Sequence, residues 1–159
     1  MIVLGFDPGL ERAGYGAVRR EGSGLTPVRF GIIETPRVAL ADRLALIRQE
    51  VISLIDGIAP DRLATERLLF SVNRKTAMDV AAARGVILEA GASAGFVWAE
   101  YAPQEIKLSV AGNGAAAKGQ VQYMVAKLLG LAAPPGSDDA ADALAIAICH
   151  ALRERPGAA

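Results

Sequence analysis

At Leu40 the apolar residues change from short runs to a recurrence every three or four positions, and this change limits the fold more than any other feature of the chain. Leu40, Leu44, Ile47, Val51, Leu54, Ile55 and Ile58 fall on one face of a long helix, which Gly57 and Pro60 are expected to end. Before it, the apolar run Ile2-Val3-Leu4-Gly5-Phe6 closes on the turn residues Asp7-Pro8-Gly9. Segments 15–20 and 28–34 follow, separated by Glu21-Gly22-Ser23-Gly24, so the first third reads as a meander of three antiparallel strands. After the helix, Leu63-Ala64-Thr65-Glu66 reads as a strand, and the helical connection makes it a crossover parallel to the first. A helix over 76–92, a strand over 96–100 and alanine-rich helical segments over 103–110, 118–129 and 137–153 complete the pattern. The expected class is α/β, a mixed five-stranded sheet with helices on both faces.

The chain has 159 residues, 52% of them hydrophobic and 21% charged, which suits one core and excludes the disordered and fibrous classes. A single domain over 1–154 with a frayed tail over 155–159 is expected. No uncharged stretch exceeds ten residues, half of what a membrane helix needs. No basic segment precedes the first apolar run, so neither secretion nor import is signalled and the cytoplasm is the expected compartment. Cys149 is the only cysteine, which excludes an internal disulfide and a multi-cysteine zinc site. Basic and acidic residues number 17 each, so a nucleic-acid partner would have to be held by a local basic surface.

The residues that point to chemistry are acids set in apolar surroundings. Asp7 and Glu66 end two strands that a right-handed crossover makes neighbours, so their carboxylates can meet at one edge of the sheet. Asp139 and Asp142 stand three apart in the first turn of the last helix and share a face. Each acid also has a plainer reading. Asp138 or Ser137 suits a helix N-cap, Asp139 a first-turn dipole partner, Asp7 the start of an Asp-Pro-Gly turn, and Glu66 an ion pair with Arg62 or Arg67. Asp142, flanked by alanines, is harder to explain as structure alone, because a buried unpaired carboxylate is costly. Taken together, four carboxylates form an all-oxygen set suited to magnesium or manganese, and paired hard cations promote phosphodiester hydrolysis. His150, the only histidine, lies about three turns from these acids and reads as a packed or capping residue.

The chain resembles the bacterial RuvC Holliday-junction resolvases, whose fold is ribonuclease-H-like. The likeness runs over nearly the whole sequence: Gly5-Phe6-Asp7-Pro8-Gly9, Gly14-Tyr15-Gly16, Thr65-Glu66, Ala83-Arg84-Gly85, Glu100-Tyr101-Ala102-Pro103, Lys118-Gly119-Gln120-Val121-Gln122 and Asp139-Ala140-Ala141-Asp142-Ala143-Leu144-Ala145. The resemblance implies that Asp7, Glu66, Asp139 and Asp142 are catalytic metal ligands for two Mg2+ ions, with Mn2+ able to substitute. It implies that Lys107 and Lys118 contact the DNA backbone near the scissile phosphate. It also implies a homodimer that makes paired symmetric nicks in four-way junction DNA, in recombination and repair, working with a RuvAB-type branch-migration motor. The chain departs from the family where an aromatic wedge residue is usual: Leu69 stands there, with Phe70 next. Insertion into opened DNA and packing at a strand end both remain open for this pair.

Asn73, Arg74, Lys75, Arg84 and Arg67 join Lys107 and Lys118 as candidates for phosphate contact, because they fall between or beside the acid-bearing segments. Ordinary surface solvation is the competing reading. The helix face Ala77, Val80, Ala81, Arg84, Ile87 and Leu88 suits either a dimer surface or a core-facing stripe. Two alternatives to a junction resolvase stand at this point: a ribonuclease-H-like RNA-processing nuclease, and a non-catalytic module that binds junctions.

Overall fold

The computed structural model describes residues 1–68 and 74–154, the side chains of residues 74–76 excepted. The leading meander consists of β1 (Ile2–Asp7), β2 (Arg12–Glu21) and β3 (Gly24–Glu34). Helix α1 (Leu40–Ile58) leads to β4 (Arg62–Glu66), and α2 (Arg74–Ser93) leads to β5 (Trp98–Tyr101). Helices α3 (Pro103–Ala111), α4 (Lys118–Leu128) and α5 (Asp138–Arg153) follow. The sheet order is β3-β2-β1-β4-β5, with β1 antiparallel to β2, β2 antiparallel to β3, and β4 parallel to both β1 and β5. The expected mixed sheet is therefore present.

Alternation along the strands sends neighbouring residues to opposite faces. Val3, Val18 and Ala64 face α3, α4 and α5, whereas Leu4, Ala17 and Leu63 face α1 and α2. Both faces are thus buried, which explains why β1 reads as an unbroken apolar run up to Asp7. Burying side chains such as Phe6, Leu63, Ile87 and Leu144 contributes roughly 1.5–3 kcal/mol each.

The boundaries differ from expectation in instructive places. β2 starts at Arg12 rather than residue 15, and β3 at Gly24 rather than residue 28, so a two-residue turn joins them, with Gly22 at φ 60°. Gly57 stays inside α1, which ends where Ala59 adopts a left-handed conformation at φ 49° ahead of Pro60. The buried face of α2 is Ala83, Ile87 and Ala90, while Ala81 is exposed, so the expected stripe is rotated and only Ile87 of it is fully buried. The expectation for the tail 155–159 lies outside the described residues.

Helix α5 is pressed onto the sheet through positions with little or no side chain. A Cβ on Gly5 would lie 2.5 Å from the Ala143 carbonyl oxygen, one on Gly14 1.9 Å from that of Asp139, and one on Gly16 2.7 Å from the Leu144 nitrogen. Backbone therefore meets backbone, and Ala140, Ala143 and Ala147 on α5 complete the close approach. Gly14→Ala should force the start of α5 off the sheet and cost roughly 1–3 kcal/mol or more of stability. Urea denaturation of the two proteins checks this, and an unchanged midpoint would contradict it.

Candidate active site

Parallel pairing places Phe6 opposite Thr65, which brings the next residues, Asp7 and Glu66, side by side at the C-terminal edge of β1 and β4. The buried Thr65 hydroxyl donates to the Phe6 carbonyl at 3.1 Å and ties these two strand ends together. On the other flank Asp7 pairs with Gly14, the residue on which the Asp139 backbone rests. Asp142 follows three residues later on α5. The four acids singled out in the sequence thus come from residues 7, 66, 139 and 142 to one edge of the sheet.

Their electrostatics show how closely they interact. Burial, followed by the charges of Asp142, Glu66 and Asp139, pushes the Asp7 carboxyl from an ordinary 3.8 up to about 8, against the opposing pull of Lys118. Burial and the Asp142 charge raise Glu66, with Lys107 acting in the other direction. Burial raises Asp142 as well, and its bond to Lys118 opposes the shift. Among the described residues, however, no three acids are drawn close enough to form a ready ligand cluster. Protein cations hold part of the charge instead. The Lys118 ammonium lies 3.1 Å from Asp142 and 3.2 Å from Asp138, and the Arg12 guanidinium lies 3.2 Å from Asp139. Partial burial works against the Lys118 charge, but its two carboxylate partners outweigh that and raise its pKa.

A cavity of about 200 Å3 opens beside the acids. Glu66, Asp142, Lys107 and Lys118 form its polar side, and Ile106 and Val121 part of its apolar side. Two acids and two lysines thus line the same cavity, a pairing that suits a divalent cation and a phosphate held together.

Several plainer readings can now be replaced. Ser137 occupies the N-cap position of α5 without a side-chain capping bond, and its hydroxyl accepts a hydrogen bond from Arg12 at 3.2 Å. Asp138 is not the cap either: it accepts from Gln122 at 2.7 Å and pairs with Lys118, both of which lower its pKa. Arg62 stands at the far end of β4 from Glu66 and pairs with Glu154 at 2.8 Å. His150 is packed at the other end of α5, with Nδ1 2.7 Å from the Tyr101 hydroxyl and Nε2 2.8 Å from Glu154, as its position in the sequence suggested. The Arg84 guanidinium is engaged by Glu100 and the Glu66 carbonyl. Leu69, Phe70 and Asn73 lie outside the described residues, as do the side chains of Arg74 and Lys75. Sequence reasoning missed Arg12. Its distance of two residues from Gly14, the residue facing Asp7, was the available signal.

Residues 3–150 match the family model for crossover junction endodeoxyribonuclease RuvC. A relative of that description from Halothermothrix orenii is 46% identical over 151 residues, covering 94% of this chain and 92% of the relative. Among solved structures, T. thermophilus RuvC in complex with a Holliday junction substrate superimposes with a TM-score of 0.90 at 34% identity, covering 96% of this chain and 93% of that one. The yeast mitochondrial Holliday junction resolvase Ydc2 shares the fold at a TM-score of 0.71 and 14% identity, covering 94% and 78%.

The raised Asp7 value has a consequence for stability. Between its unfolded and folded pKa values the folded chain keeps a proton that the unfolded chain releases, so stability in EDTA should fall as pH rises through about 8. His150, lowered by burial, acts in the opposite sense at lower pH, so the comparison belongs between about pH 6.5 and 8.5. Urea midpoints over that range should decline in the wild type, by at most a few kcal/mol of stability, and decline less in Asp7→Asn. Parallel slopes for the two proteins would exclude the effect.

Proposed function

The chain belongs to the RuvC family of crossover junction endodeoxyribonucleases, and from that premise and the geometry at the sheet edge we propose how it resolves Holliday junctions. It is a structure-selective endonuclease of recombination and repair. The observation that carries the mechanism is the meeting of Asp7, Glu66, Asp139 and Asp142 at one sheet edge, where burial first and then the charges of the other three acids raise Asp7 to about 8.

The donor set is made only of carboxylate oxygens, which fits Mg2+, with Mn2+ as a substitute, better than zinc. Asp7, Glu66, Asp139 and Asp142 are the residues that would hold two such ions. When bound, the ions supply an activated water and stabilise the departing 3′ oxygen, leaving a 5′ phosphate and a ligatable 3′ hydroxyl. Lys107 and Lys118, which line the cavity with Glu66 and Asp142, are the residues that would meet the phosphate. Lys118, which neutralises part of the charge of Asp142 and Asp138, would be available to a DNA phosphate where a bound cation took over that neutralisation.

The remaining assignments rest on the family and on chemistry. A homodimer presents two such sites to the two opposed strands of a junction, and a two-fold pair matches the junction's own approximate symmetry. The line of half-exposed Ala77 and Leu88 and exposed Ala81 on α2, with Met78 at 74% exposure, is the proposed contact between copies. Residues 69–75 supply the proposed wedge, Leu69 or Phe70, and further phosphate contacts from Asn73, Arg74 and Lys75. Residues 1–154 act as one nuclease domain. A RuvAB-type motor is the proposed partner and the cytoplasm the proposed compartment; among the described residues no helix is long and apolar enough to cross a membrane.

On a synthetic four-way junction, Asp7→Asn should lose at least about a thousandfold in Mg2+-dependent nicking, as expected when several kcal/mol of transition-state stabilisation are removed. Junction binding in a gel-shift assay should persist. Calcium should support binding but poor turnover, because its larger and looser coordination positions water and phosphate less strictly. Full nicking by Asp7→Asn, or nicking in calcium at the magnesium rate, would overturn the mechanism.

A further inference from the structure

Arg84 stands apart from the other basic residues around the site because its guanidinium already has two protein partners. It is largely buried, with 17% of its side chain exposed, against 54% for Lys118. One nitrogen, Nη2, donates to the Glu100 carboxylate. Another, Nε, donates to the backbone carbonyl of Glu66 at 3.4 Å. These two contacts lie on adjacent strands, since Thr65 pairs with Glu100 and Glu66 with Tyr101. Arg84 therefore reaches from α2 across the C-terminal ends of β4 and β5. The strand ends are joined from the other side as well, where the Arg67 amide donates to the Tyr101 carbonyl at 2.7 Å.

We infer that Arg84, oriented by Glu100, is a positioning residue that fixes the backbone at Glu66 and so aims the Glu66 carboxylate at the metal site, rather than a phosphate contact. A guanidinium can do this because its planar fork holds two acceptors in a fixed relation, which a lysine ammonium cannot. β4 ends at Glu66, so without such a brace its last residue has strand pairing on one side of the peptide only. The inference rests on the proposed metal chemistry and assigns one of its supporting contacts.

The two roles give opposite signs in experiment. Mn2+ binding by isothermal titration and junction binding in EDTA over a range of salt are measured for wild type, Arg84→Gln, Arg84→Lys and Glu100→Gln. If Arg84 positions Glu66, all three variants weaken Mn2+ binding by roughly 10- to 100-fold, the usual cost of losing a group that orients a ligand. Junction affinity and its salt slope stay within about twofold of wild type. Charge alone would make Arg84→Gln bind a cation more tightly, so weakening is the mark of lost orientation. If Arg84 instead meets phosphate, Arg84→Gln weakens junction binding and reduces the salt slope by about one contact, Glu100→Gln strengthens it, and Mn2+ binding does not fall; that result overturns the inference. Should Arg84→Gln fail to fold, Arg84→Lys decides, since it keeps the charge and removes only the planar fork that holds Glu100 and the Glu66 carbonyl. A wild type that neither binds Mn2+ nor nicks junctions with it would defeat the proposed function; a competent wild type with unaffected variants defeats only the role of Arg84.

Discussion

The contact on which the site depends most is the seating of α5 against the backbones of β1 and β2. Gly5, Gly14 and Gly16 present no side chains, and the helix answers with Ala140, Ala143 and Ala147, so its axis lies closer to the sheet than a leucine-faced helix would allow. Asp139 sits at the point of tightest approach, over the residue that pairs with Asp7. A helix seated even one methyl group farther out would carry Asp139 and Asp142 away from Asp7 and Glu66. The Gly-Tyr-Gly segment is thus part of the active-site geometry although it supplies no reactive group.

Charge gathered by packing has to be compensated locally. The site draws four carboxylates together and sets Lys118, Lys107 and Arg12 around them. Arg12 and Lys118 each sit on one of the α5 acids, so the chain supplies counter-charges of its own. That arrangement explains why strong mutual effects on pKa coexist with the lack of a closed ligand cluster among the described residues.

Much of this was legible in the sequence because it follows from periodicity. The switch at Leu40 revealed the crossover, the crossover made β1 and β4 neighbours, and their neighbourhood brought Asp7 to Glu66. Spacing of three put Asp139 and Asp142 on one face. What was not legible depends on which side chain meets which. The serine ahead of α5 has a capping residue's identity and position, yet its hydroxyl is taken by Arg12, 125 residues away in sequence. Gly57 looked like a helix terminator, but the chain ends α1 at Ala59 instead, and the left-handed conformation falls on a residue that rarely adopts it. Arg84 reads in the sequence as a candidate phosphate contact, and nothing in its neighbourhood on α2 discloses that β5 delivers Glu100 to it.

The two halves of the site are therefore held by different means. Asp7 and Glu66 are fixed by hydrogen-bonded strand pairing, reinforced by Thr65 between them and by Arg84 at the end of β4. Asp139 and Asp142 are placed by the packing of α5, which is sensitive to single methyl groups along its length, and are held there by Arg12 and Lys118. Substitutions far along α5 or in β2 can then disturb the second pair of acids without touching the first. Strand pairing cannot substitute for that packing, since α5 is tied to the sheet through side chains, as where Arg20 of β2 donates to the Ala151 carbonyl. The hard constraint on this sequence is consequently the run of small residues facing one another across α5, β1 and β2, and the alanine-rich last helix is a requirement of the chemistry as much as of the core.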